Sequence, residues 1–233
     1  MDKKFDLKNI VLGLNIFMVV ALCVINFFYQ SNDFNYTLKC VGSACFVVQG
    51  VINFWFALKS NAEEKKFYLI MFVGLVFSMI GDVVINLNFV AGAAIFAIAH
   101  IWFVFAYCLL KKYNLQDGII GGVIFIGSAL FILLFKGLNF EPVLLKWVCL
   151  IYALIISTML GKAVSNLIRE RNVVNILLAI GAVLFFFSDL MLLLDNFMGT
   201  LSWTGNACMA TYWPALLILA FSMFFKTKNN VKD

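Results

Sequence analysis

The sequence predicts an all-α, polytopic membrane fold of eight transmembrane helices, and three observations carry that expectation. Of the 233 residues, 64% are hydrophobic and only 12% charged, with 26 phenylalanines. A soluble domain of this length has too little interior to bury so much apolar surface. The apolar residues also gather into eight segments of roughly the 17–25 residues that a helix needs to cross a bilayer. Finally, the basic residues concentrate in alternate loops. Helices are expected rather than strands because lipid offers no partner for free backbone N–H and C=O groups, and a helix satisfies its own.

The segments run over residues 9–28, 38–58, 67–87, 91–110, 118–135, 143–163, 173–194 and 205–225. The first is a full-length span rather than a short apolar core with a small-residue cleavage site, so no cleaved signal peptide is expected. The second opens at Lys39. The third and fourth are separated only by Asn88–Val90, which demands a tight helical hairpin. Gly92, Ala93 and Ala94 in the fourth, and Gly121 and Gly122 in the fifth, allow close helix packing within or between chains, so the oligomeric state stays open. The sixth carries Tyr152, the seventh Asp189 and the eighth Tyr212. Loops this short imply antiparallel neighbours and leave no room for a separate soluble unit, so residues 1–233 read as a single transmembrane domain. Six cysteines without a CxxC pair read as small core residues rather than a disulfide or zinc framework.

Orientation follows from charge. Lys3, Lys4, Lys8, Lys59, Lys65, Lys66, Lys111, Lys112, Lys162, Arg169, Arg171, Lys226, Lys228 and Lys232 fall on one side, leaving Lys39, Lys136 and Lys146 on the other. By the positive-inside rule both termini are cytoplasmic. The formal charge of +5 is thus a topology signal with some attraction to anionic headgroups, and no nucleic-acid partner is expected. A bacterial inner membrane fits, and an internal eukaryotic membrane would obey the same rule.

Two spans contain an acid. Asp82 follows Gly74, and Asp189 follows Gly181, at the same interval of eight residues, and one offset of 107 superimposes both pairs. Spans three and seven are each the third span of a four-helix half, so a 4+4 parallel repeat is plausible. Each Asp lies five residues before the outer limit of its span, which puts both about 7–8 Å below that boundary. Carboxylates in a membrane are costly and are functional candidates by default, although a buried acid can also serve as interhelical glue. Ser78 and Asn86 share the helical face of Asp82 and extend it into a polar seam; Ser188 immediately precedes Asp189. His100, the one histidine, falls within span four, where it is either a packing residue or part of the same cavity. Lys39 can reach the interface by snorkelling, and Tyr152 and Tyr212 are either core aromatics or site residues. Gly-rich phosphate loops, GxSxG elbows and HExxH helices are absent from the sequence. One His, dispersed Cys and two Asp do not suggest a metal site, and no cofactor is expected.

The runs G-L-V-F-S-M-I-G-D to Asp82, A-I-F-A-I-A-H-I-W-F around His100 and G-A-V-L-F-F-F-S-D-L around Asp189 resemble the YhhN family of transmembrane lysoplasmalogenases. The stretch Pro142–Ala163 adds the spacing of Tyr152 and Met159. Where the family commonly has Lys-Pro, Lys39 is here followed by Cys40. The resemblance implies hydrolysis of the vinyl ether of a lysophospholipid substrate among membrane lipids, yielding a fatty aldehyde and a glycerophospho-base. Vinyl ether cleavage needs an acid to protonate the β-carbon and a carboxylate to stabilise the oxocarbenium ion or activate water, as in glycoside hydrolysis. Asp82 and Asp189 are the expected pair, close enough to share a proton in one cavity. His100 and Asn86 would position water or the ether oxygen, and Lys39 would face the phosphate. The alternatives are a proton-coupled lipid or small-molecule transporter, and a non-catalytic lipid-binding membrane protein.

Overall fold

The computed structural model describes residues 3–31, 36–62, 64–199 and 203–230, and within them every regular element is helical. The helices are α1 (Lys3–Ser31), α2 (Tyr36–Lys59), α3 (Lys65–Val84), α4 (Phe89–Leu110), α5 (Leu115–Leu134), α6 (Leu144–Arg169), α7 (Val173–Met198) and α8 (Thr204–Asn230). Each is long and apolar enough to cross a membrane, and the chain is an integral membrane protein. The limits expected from the sequence mark the same eight elements, but α1 begins at Lys3, α6 runs on to Arg169 and α8 to Asn230, because a helix continues past its apolar stretch into polar flanks. At α3 and α7 the differences have local causes. Helix α3 ends at Val84 rather than near residue 87 because the hairpin turn needs residues 85–88, with Asn88 accepting from the Ala91 N–H as the N-cap of α4. Helix α7 instead runs on to Met198 and stops at Gly199, whose φ of 62° suits only glycine at low cost.

Glycines set two close approaches. A Cβ on Gly92 would stand 2.4 Å from the Ile85 Cα, so only glycine lets the α3–α4 hairpin close. A Cβ on Gly161 would stand 2.5 Å from the Gly121 Cα, which draws α5 against α6. The small residues in spans four and five are thus spent largely on contacts inside the chain.

Helix α8 is the hub: it packs on α1, α2, α3 and α7, and it is the most buried of the eight. The order of neighbours recurs between halves, with α1–α2, α2–α3, α3–α4 and α2–α8 echoed by α5–α6, α6–α7, α7–α8 and α6–α4. The core is aromatic, built on Phe46, Phe67, Phe103, Phe185 and Trp213, all fully buried. Helix α5 is peripheral and packs closely only on α6. Its N-terminal end is fastened by a group that the sequence disguised. Lys162, counted among the loop cations, lies inside α6 with 0% exposure and places Nζ 2.9 Å from Asp117 Oδ2. Asp117 also closes a capping box with Asn114 at the start of α5.

Candidate functional site

Each of the two span acids, Asp82 and Asp189, sits in its own cluster of polar side chains. In the first, α2 and α3 meet at Asp82. The Lys39 ammonium stands 3.0 Å from Asp82 Oδ1, and the Ser43 hydroxyl donates to Oδ2. Trp213 Nε1 on α8 donates to the Ser43 oxygen at 3.4 Å. Asn86 donates to the Asp82 backbone carbonyl at 2.7 Å and accepts from Lys39 at 3.2 Å. Lys39 and Ser43 are one helical turn apart, which is why both can address one carboxylate.

In the second cluster, α4, α6 and α7 meet at Asp189. The Tyr152 hydroxyl lies 2.7 Å from Asp189 Oδ2, while His100 Nε2 lies 2.8 Å from the Tyr152 hydroxyl and 3.2 Å from the same Oδ2. His100 Nδ1 faces the Met159 sulfur at 3.3 Å. Chain proximity pointed His100 toward Asp82, yet the α4–α6 packing carries it to Asp189.

Among the described residues the acids sit in separate hydrogen-bonded clusters, with no partner in common, rather than hydrogen-bonded to one another as the sharing of a proton would require. The reason is that each has been claimed by side chains of the helix preceding its own, α2 for Asp82 and α6 for Asp189. A run of ring contacts leads from one to the other: His100 to Phe185 (4.5 Å), Phe185 to Tyr212 (5.4 Å), and the Tyr212 hydroxyl donating to the Ser78 carbonyl (3.1 Å).

Beside the second cluster is a cavity of about 400 Å³. Its wall is apolar, contributed by Phe96 of α4, Val123 and Phe131 of α5, Ile156 of α6 and Leu193 of α7 among others. Asp189 and Tyr152 line it; Asp82 and Lys39 do not. Phe89 lines the end nearest the α3–α4 turn and meets Phe197, which in turn meets Phe140. Gly127 of α5 also lines the cavity, with nothing within 4 Å of where its Cβ would stand.

The remaining expected residues are placed less directly. The Ser78 hydroxyl donates back to the Gly74 carbonyl at 3.0 Å and is fully buried. Ser188 is buried with its hydroxyl oxygen unpaired in the structure. Sequence reading missed Ser43 and Trp213. Ser43 was detectable as the residue four after Lys39; Trp213 was not, because its contact joins positions 170 residues apart. Among the described residues no group of three or more His, Cys, Asp and Glu side chains could hold a metal ion.

What this arrangement offers chemically is an acid group at the wall of a lipid-like cavity, backed by a phenol and an imidazole. A family model described as YhhN family matches residues 51–223, which include Asp82, His100, Tyr152, Asp189 and Tyr212. No solved structure matches the chain.

Proposed function

The chain belongs to the YhhN family, and from that premise we propose that it hydrolyses the vinyl ether of a 1-alkenyl lysophospholipid to a fatty aldehyde and a glycerophospho-base. The observation that carries this reading is Asp189 with Tyr152 on the wall of a cavity otherwise apolar enough for a hydrocarbon chain. An alkenyl chain in that cavity brings the ether to the carboxyl without leaving the hydrocarbon phase.

Asp189 is the proton donor. Its proton goes to the β-carbon of the C=C–O unit, the π electrons form the new C–H bond, and the α-carbon becomes an oxocarbenium ion. Water adds there and returns one proton to the carboxylate. The resulting hemiacetal breaks its bond to the glycerol oxygen, giving aldehyde and alcohol, so that one water is consumed overall. Asp82, held by Lys39 and Ser43 in its own cluster, is the second carboxylate of this reading. His100, at hydrogen-bond distance from both Tyr152 and Asp189, orients the acid, while Asn86, Ser78, Ser188 and Tyr212 stand outside the cavity wall and shape the polar surroundings of the two acids. Lys39 and Asn86 lie at the end of the bundle that the basic residues assign to the outer face, where the Lys39 ammonium meets the lipid phosphate. The termini are then cytoplasmic, and a bacterial inner membrane is the fitting location.

Turnover in deuterated water tests this chemistry. Protonation at the β-carbon places one deuteron on carbon 2 of the released aldehyde. Aldehyde without that deuteron would remove the protonation step, and proteoliposome flux without hydrolysis would favour a transporter.

A further inference from the structure

His100 is the single histidine of the chain and is fully buried. Its two ring nitrogens face different chemistry. Nε2 addresses the Tyr152 hydroxyl at 2.8 Å and Asp189 Oδ2 at 3.2 Å, whereas Nδ1 addresses the Met159 Sδ at 3.3 Å. The other close neighbours of the imidazole are rings, Phe185 at 4.5 Å and Tyr152 at 5.5 Å. A thioether sulfur accepts a hydrogen bond weakly and cannot donate one. A bare Nδ1 lone pair against it would stay unsatisfied in a buried site, while an Nδ1–H would have an acceptor.

We propose that Met159 is a positioning residue for the acid: its sulfur holds neutral His100 with the proton on Nδ1, so that Nε2 presents a lone pair to Tyr152 and Asp189. The inference rests on Asp189 being the proton donor and says how it comes to hold a proton. With Nε2 bare, the Tyr152 O–H donates to it. The Tyr152 oxygen, 2.7 Å from Asp189 Oδ2, then accepts, and the carboxyl must be protonated to donate. The chain runs one way, from Asp189 O–H to Tyr152 O–H to His100 Nε2, and from Nδ1–H to the sulfur. In the other tautomer Nε2–H donates toward Tyr152 and Asp189, Tyr152 donates to Asp189, and the carboxylate has no proton to give. The two arrangements differ by one proton, and only the first stores it on Asp189. After that proton reaches the substrate carbon, Tyr152 turns its O–H from Nε2 to the new carboxylate. The proton released by the attacking water restores the starting chain.

Because the protein has one histidine, histidine-selective ¹⁵N labelling in bilayers yields a single pair of ring signals. The wild type is expected to show protonated Nδ1 and a lone-pair Nε2. Met159→Leu preserves volume and packing and is expected to move the proton to Nε2, with kcat falling about tenfold or more at little-changed KM. Met159→Gln, whose amide oxygen accepts from Nδ1–H, is expected to restore the wild-type signals. A wild-type ring protonated on Nε2 alone or on both nitrogens, or a Met159→Leu protein that keeps the wild-type pattern, would overturn the proposal. The signals are read without turnover, so wild-type protein with protonated Nδ1 but no aldehyde release would sink the hydrolase reading and leave the role of Met159 standing.

Discussion

Lys39 and Asp82 show what a membrane interior does to a charge. Their side chains are 12% and 5% exposed and lie 3.0 Å apart, so each is the other's compensation for lost hydration. Lys39→Met leaves the carboxylate with Ser43 alone and is expected to cost about 3–5 kcal/mol of stability. The double variant Lys39→Met with Asp82→Asn should recover part of that loss, which a double-mutant cycle on thermal unfolding in detergent measures. Additive losses would show that the pair is not coupled. At this scale the sequence was legible in one respect. A polar residue inside an apolar span is conspicuous, and Asp82, His100 and Asp189 are all buried or nearly so. Their partners were not legible. His100 and Asp189 are 89 residues apart, and which polar groups meet depends on helix rotation and packing that periodicity alone does not fix.

Helix α5 carries the argument at the scale of an element. It is tied to α6 through the Gly121–Gly161 approach and the Asp117–Lys162 pair, and farther along it turns Val123, Gly127 and Phe131 to the cavity. Gly127→Phe is expected to leave the fold intact, since no atom lies within 4 Å of the new Cβ and glycine is a poor helix former by about 1 kcal/mol. The ring would occupy the space assigned to the alkenyl chain, so aldehyde release should fall by about tenfold or more with the melting temperature unchanged or raised. Full activity in the folded variant would mean the chain binds elsewhere. Helix existence and order were readable from hydropathy because twenty apolar residues in a row have few other solutions. The ends were read less well, most of all at the start of α1 and the ends of α6 and α8, where the helix continues into polar flanks that hydropathy does not count. At α3 and α7 a turn closed by Gly92 and a stop at Gly199 decide the limits. The ion pair beneath α5 was hidden because Lys162 looks like a flanking loop cation, and only the packing of α6 on α5 reveals its partner.

For the whole molecule, the question is which end faces the cytoplasm. Two of the cations used for orientation are held in ion pairs within the bundle, Lys162 fully buried and Lys39 partly so, and carry no loop signal. Setting both aside leaves the asymmetry of the remaining loops intact. In a background lacking the six native cysteines, Lys112→Cys is expected to react with an impermeant thiol reagent only from the cytoplasmic side. Lys136→Cys should react only from the opposite side. The reverse pattern would invert the bundle and move the Lys39 end to the inner leaflet. The recurrence of helix neighbours between halves also places the two acids in comparable crevices, α2 against α3 and α6 against α7. Only the second of these opens on the apolar cavity, and that asymmetry is the reason the proposed mechanism gives the acid role to Asp189.

Aldehyde released from a 1-alkenyl lysophospholipid by purified protein, wild type against Asp189→Asn, bears most directly on this assignment. The wild type is expected to release aldehyde, and the variant, folded in the same detergent, to lose at least about a hundredfold in rate. Release by Asp189→Asn at the wild-type rate would contradict it.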